Sequence, residues 1–146
     1  MSRSETITAL KQYFKVKELV CPHTYQQYGE NSWQFLSTCY LEILLIIREK
    51  ILAVPMCCNV SNLSQRGFRC NLCPIVSNKQ TLYISAHMLG KAGDFTVCGL
   101  TAEDARNKII QNAHLLPYPI RMEKNVTWLH VDTLPQHNIV EKVYLF

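Results

Sequence analysis

Apolar and polar residues alternate along two stretches of the chain. In 91–97, Gly93, Phe95 and Val97 fall on one side and Ala92, Asp94 and Thr96 on the other. In 126–132, Leu129 and Val131 oppose Val126, Trp128, His130 and Asp132. A period of two is that of a half-buried strand, so each stretch predicts a strand with one core face and one open face. Elsewhere the period lengthens. Leu36, Cys39, Tyr40, Ile43, Leu44, Ile47 and Ile51 recur at three- and four-residue steps. They predict a long core helix, capped at Asn31 or Ser32 and running to about Leu52, which Pro55 prevents from continuing. A second helix starts at the N-cap Thr101, with Glu103 and Asp104 in its first turn. It is expected to reach about His114 with Ala105, Ile109, Ile110 and Ala113 inward.

The remaining elements are shorter. Alternation in 54–61 reads as a strand. Residues 118–123 and 126–132 flank Lys124 and Asn125, which reads as a hairpin with a two-residue turn. Residues 140–145 form a last, edge strand. Near Phe14 a short strand or turn is expected, and a helical turn over 17–20. Pro22 and Gly29 mark 21–30 as a loop, in which Cys21 and His23 are candidate ligands, His23 otherwise being a solvated loop histidine. Residues 62–84 are irregular, a loop draped around a site. No internal repeat is visible. The sum is an α+β fold: a small antiparallel sheet with helices packed on one face, the other face open.

Composition narrows the picture modestly. A chain of 146 residues, 48% hydrophobic and 18% charged, is expected to form one globular domain. A net charge of +4 favours approach to an anionic polymer such as a cell wall. No aromatic–basic repeat suggests nucleic acid as a partner. The N-terminus lacks the apolar core of a secretion signal. The longest apolar run, 41–47, contains Glu42 and is too short to span a bilayer, so no membrane partner is expected. The seven cysteines are then expected to be reduced thiols. Cys70 and Cys73, with Cys57 or Cys58, form either a second metal site or a set of small buried hydrophobes.

The two open strand faces carry the candidate chemistry. His87 and Asp94 lie on either side of a turn at Gly90, and His130 follows on the second strand. Two imidazoles and one carboxylate make a three-ligand zinc site with one position left for water, the composition of a catalytic metal site.

The pattern Ser85, His87, Gly90, Ala92, Asp94, followed by Trp128, His130 and Asp132, resembles that of the zinc D-Ala-D-Ala carboxypeptidases. Their relatives include bacteriophage endolysins and vancomycin-resistance D,D-dipeptidases, and the hedgehog signalling domain shares their fold. Arg66, Gly67, Phe68 and Arg69 are similar to that family's Ser-Gly-Tyr-Arg segment, and 13–19 to its N-terminal entry, so the resemblance spans roughly 12–133 in the same order. It implies a hedgehog/DD-peptidase-like fold, a zinc cofactor held by His87, Asp94 and His130, and a monomer whose partner is a peptidoglycan peptide. The implied activity is hydrolysis of stem peptides at D-Ala-D-Ala or L-Ala-D-Glu bonds. Made in the cytoplasm, such an enzyme acts on the wall after release.

The resemblance also implies roles. Arg69 matches an arginine that holds substrate carboxylate or a developing oxyanion, and Ser85 a serine that bonds substrate backbone. Trp128 is a pocket wall or a core filler. Many family members carry an acid three positions before the last histidine, and hedgehog-like members a glutamate six before it. Here these places hold Thr127 and Lys124. Glu123, brought back by the hairpin, is either the general acid–base or a solvated strand-end carboxylate, and Asp132, on the face of His130, either orients an imidazole or closes the strand end. His114 and His137 match nothing and are expected to be exposed. Without a usable base, the chain would instead be a zinc-bearing wall- or partner-binding module, or a phage virion component that keeps the fold.

Overall fold

The computed structural model describes residues 1–135 and 141–146. The described residues form six α-helices and five short strands. They are α1 (Arg3–Leu10), α2 (Val16–Leu19), α3 (Pro22–Tyr28), α4 (Thr38–Ile46), β1 (Met56–Cys57), α5 (Pro74–Ser77), β2 (Ala92–Val97), α6 (Ala102–Gln111), β3 (Ile120–Met122), β4 (Leu129–Asp132) and β5 (Val143–Leu145). The strands form one sheet in the order β1-β2-β4-β3-β5. The fold is α+β, as expected, but the sheet is mixed. β5 runs parallel to β3, pairing Ile120 with Val143, while the other pairs are antiparallel.

The core lies on one face of the sheet. Phe95, Val97, Ile120, Met122, Leu129 and Val131 join Leu10, Phe14, Tyr40, Ile43 and Ile109 in one buried cluster. The alternation read in 91–97 is observed over Ala92–Val97, and that read in 126–132 over Leu129–Asp132 only. Asp94 pairs with His130 across the β2–β4 ladder, so both emerge on the face opposite the core.

The helices differ from expectation at their starts. α1 forms where mixed sequence was expected, closed by a capping box in which Ser2 accepts from the Glu5 amide and Glu5 returns a bond to the Ser2 amide. The core helix begins at Thr38 rather than near Ser32. Ser37 caps it, accepting from the Tyr40 amide, while Leu36 is extended. The Ser37 amide bonds the Gly90 carbonyl, which draws the chain out of the helical path. Residues Gly29–Phe35 form a 3₁₀ helix instead. The Arg3 guanidinium takes the Trp33 and Leu36 carbonyls at 2.7 and 2.8 Å. The helix ends in a π turn, Ile47–Leu52, closed by Ala53 in the left-handed region.

Strands β1, β3 and β4 are shorter than the sequence suggests. Only Met56–Cys57 of 54–61 pairs with the sheet. Beyond it the Asn59 amide bonds the Glu18 carbonyl, and its side chain bonds the Val20 carbonyl and the Arg66 amide. The hairpin turn is wider than two residues. α6 turns Arg106 inward, where Ile110 was expected, and leaves Ile110 exposed. The buried guanidinium collects the carbonyls of Glu123, Val126 and Trp128 at 3.2–3.3 Å. Residues 123–128 therefore wrap around Arg106 rather than pairing with each other. Among the described residues no helix is long and apolar enough to cross a membrane.

Candidate metal centre

Gly90 makes the turn before β2, at φ +66°, and an added Cβ would run into the Phe35 carbonyl. The turn sets His87 over the start of β2, next to Asp94. His87, Asp94 and His130 are all buried, at 5, 8 and 6% exposure. Their ligand atoms lie within 4.8 Å of one another. His87 Nε2 is 3.5 Å from Asp94 Oδ2, and His130 Nδ1 is 2.7 Å from Asp94 Oδ1. The cluster can hold a metal ion.

The donor set fits that use in a second respect. Each imidazole has its outer nitrogen tied to an acceptor. His87 Nδ1 bonds the Gly67 carbonyl at 2.9 Å, and His130 Nε2 bonds Asp132 Oδ2 at 2.8 Å. The inner nitrogens, His87 Nε2 and His130 Nδ1, are thereby aimed at Asp94, as metal-ligating histidines are aimed by their outer partners. Asp132 is itself fully occupied: Arg121 Nε and Nη2 donate to it at 2.8 and 2.9 Å, and the Leu134 amide at 2.9 Å. It orients His130 and has no free lone pair to spare for a substrate proton.

Without a metal these groups share protons. Burial would raise the Asp94 carboxyl, but hydrogen bonds from His130 and His87 outweigh it and hold the group well below the usual carboxylate range. Burial would lower His130, but bonds to Asp132 and Asp94 raise it to about 9. Perturbed groups of this kind in a cleft mark a candidate functional site.

The triad opens into a cleft of about 420 Å³ lined also by Arg69, Tyr83, Ser85, Arg121, Glu123, Trp128 and Phe146. Every site residue expected from the sequence is thus in one place. Arg69 Nη2 is 3.6 Å from Asp94 Oδ2, and its Nε is anchored on the Gln65 carbonyl at 2.6 Å. Trp128 is 38% exposed, a wall and not a core filler. Ser85 Oγ accepts from the Met88 amide at 3.4 Å, a local cap at the cleft edge. Glu123 follows β3 directly and lines the same cleft as His130. A second cleft, of about 520 Å³, shares Arg69, Asp94 and Trp128 with the first and extends along Leu63, Gln65, Arg66 and Thr96. Thr127 lines this second cleft.

Arg121 and Phe146 belong to the site and were missed in the sequence. The Arg121 guanidinium stacks 4.7 Å from the Phe146 ring, whose plane meets His130 edge-on at 5.6 Å between centroids. The alternation of Arg121 with buried Ile120 and Met122 was the available signal.

A second cluster also has a metal ligand set. Cys21, His23, Cys70 and Cys73 bring their ligand atoms within 4.8 Å of one another and can hold a metal ion. This corrects two expectations. The partners of Cys70 and Cys73 are Cys21 and His23, not Cys57 or Cys58: Cys57 is exposed and Cys58 is packed into the core. His23 is not a free loop histidine, because 22–28 is a helix that turns it toward the two thiols. His114 is exposed, and His137 lies outside the described residues. No family model, curated protein or solved structure matches the chain.

Proposed function

We propose that the chain is a zinc peptidase that hydrolyses peptidoglycan stem peptides, at D-Ala-D-Ala or L-Ala-D-Glu bonds. The observation that carries this reading is the convergence of His87 Nε2, Asp94 and His130 Nδ1 at the floor of an open cleft, each imidazole steered from behind. Two histidines and a carboxylate leave one position for water, the ligand count of a catalytic zinc. Bound there, zinc supplies Lewis-acid chemistry, acidifying water and polarising an amide carbonyl.

The chain's own residues do the rest. Glu123, whose carboxylate bonds no side chain among the described residues, takes a proton from the attacking water. It returns that proton to the leaving amine as the C–N bond breaks. Arg69 is permanently charged and presents a planar fork at the cleft. It binds a substrate carboxylate or the oxygen that becomes negative during attack. Trp128 forms a wall against which the peptide lies. The two adjoining clefts, meeting at Arg69, Asp94 and Trp128, accommodate peptide on both sides of the scissile bond. The carboxylate-rich stem peptide suits a cleft edged by Arg66, Arg69 and Arg121.

Digestion of purified peptidoglycan by the zinc-loaded protein, read by mass spectrometry, tests the reading. Cleavage is expected at one of the two bonds. Glu123→Gln should slow it by about 100- to 10,000-fold with zinc content unchanged, the usual range for lost acid–base help. Full activity in Glu123→Gln would remove Glu123 from the role. Wall binding without any cleavage would favour the non-catalytic module instead, a reading that Thr127 facing the neighbouring cleft keeps open.

A further inference from the structure

We propose that Cys21, His23, Cys70 and Cys73 form a closed structural zinc site that fixes the 66–73 segment against the cleft. The argument starts from distances. Cys70 Sγ is 3.9 Å from Cys73 Sγ and 3.5 Å from His23 Nδ1, and Cys73 Sγ is 3.9 Å from the same nitrogen. Zinc bonds of about 2.3 Å to sulfur and about 2.0 Å to nitrogen, at tetrahedral angles, put ligand atoms about 3.5–3.8 Å apart. The three edges among Cys70, Cys73 and His23 match, and Cys21 Sγ lies within 4.8 Å of each. A disulfide needs sulfurs bonded at about 2.05 Å, so the cysteine pair is not one.

The ligand set selects the metal. Three soft sulfurs and one imidazole suit zinc, and four protein ligands leave no position for water. Such a site is structural, in contrast to the open triad. The Cys70–Cys73 turn is built for thiolate: the Leu72 amide donates to Cys70 Sγ at 3.4 Å, and the Cys73 amide closes the turn on the Cys70 carbonyl. Across the cluster the Thr24 hydroxyl sits 3.1 Å from Cys21 Sγ.

The site's position gives its role. Residues 58–73 contain no regular helix or strand; Cys58 and Phe68 tie the segment to the core, while Leu63 and Leu72 are exposed, so its apolar anchorage is confined to a few residues. Yet this segment steers the triad. The Gly67 carbonyl aims His87, and the Arg66 carbonyl takes the Asp94 amide at 2.8 Å. Phe68 pairs with the chain just before Cys21, exchanging bonds with Leu19 and Cys21. Gly67 lies so close to Leu19 that a Cβ would run into its carbonyl. The metal joins the start of α3 to the far end of the same segment, closing a long loop at small entropic cost once bound.

Cobalt titration of the full chain tests the site. In a His87→Ala, His130→Ala variant, stripped and kept reduced, about one equivalent of cobalt should bind. It should give intense visible bands and sulfur-to-metal charge transfer, and zinc should abolish both. Absence of the charge-transfer band, or a Cys70–Cys73 disulfide in the native protein, would overturn the proposal. If that variant does not fold, alkylation of the wild type decides. Zinc should protect Cys70 while the exposed Cys39, Cys57 and Cys98 react, and equal labelling of Cys70 with and without zinc would count against it. The positioning role has its own readout: hydrogen exchange at the Asp94 and Phe68 amides should quicken in Cys70→Ser. Unchanged exchange there would reduce the site to a local staple.

Discussion

His130 sits between two carboxylates, and that placement sets the behaviour of the metal-free site. Asp94 and Asp132 together overcome burial and raise its pKa to about 9, from an ordinary value near ~6.5. A raised histidine pKa means the folded state binds the proton more tightly than the unfolded state. The stabilisation is therefore complete below about 6.5 and is lost as pH rises through about 9. Thermal melts of the metal-free protein should fall across that window. Zinc held at the triad as proposed would take the place of the Nδ1 proton, so the loaded protein should show a flatter profile and release a proton on loading. Asp132→Asn should shrink the window and weaken zinc by about 10- to 100-fold, the usual cost of losing an outer partner. A pH profile that is identical in Asp132→Asn and wild type would show that His130 is not held as described. This residue-level pattern was partly legible. His87, Asp94, His130 and the orienting Asp132 were readable from spacing and strand alternation. Arg121, which completes the Asp132 network, was not, because its role depends on which strand lies beside β4.

Strands β2 and β4 were legible because one face of each is core, and a shift of one residue would invert them. α6 was legible from Thr101 and the acidic first turn. α1 was overlooked although Ser2 and Glu5 stand at capping-box spacing. The hairpin failed for a tertiary reason. A short turn at Lys124 and Asn125 is locally acceptable, but a buried arginine three carbonyls deep outweighs it. Nothing in local sequence distinguishes Arg106 from a solvated helix arginine. The consequence is measurable. Arg106→Leu strands buried carbonyls and should destabilise the protein by about 1–3 kcal/mol in urea denaturation. It should also slow hydrolysis, since the 123–128 loop that presents Glu123 and Trp128 would lose its anchor, while zinc content stays the same. Stability equal to wild type would mean the loop holds its shape without the guanidinium.

At the scale of the molecule, a sheet with one apolar and one polar face divides the protein into a core and a cleft. The helical half packs against Phe95, Leu129 and Val131, and the irregular 58–73 segment closes the other side. The α+β class could be read ahead of the structure, since period-two and period-three-to-four stretches both occur. The parallel pairing of β5 could not, because it depends on where the chain returns after β4. The cysteine cluster was half legible: Cys70 and Cys73 stand at metal-ligand spacing, but their meeting with Cys21 and His23 was hidden, because the two halves lie 47 residues or more apart in stretches that read as loops. What the whole arrangement is for comes down to the triad. The most direct measurement is mass spectrometry of a defined stem peptide after incubation with zinc-loaded wild type and with His130→Ala, both assayed for zinc. Wild type should cleave one bond, and His130→Ala should hold about one zinc fewer and leave the peptide intact. An intact peptide with the wild type, or equal cleavage by both proteins, would contradict the account.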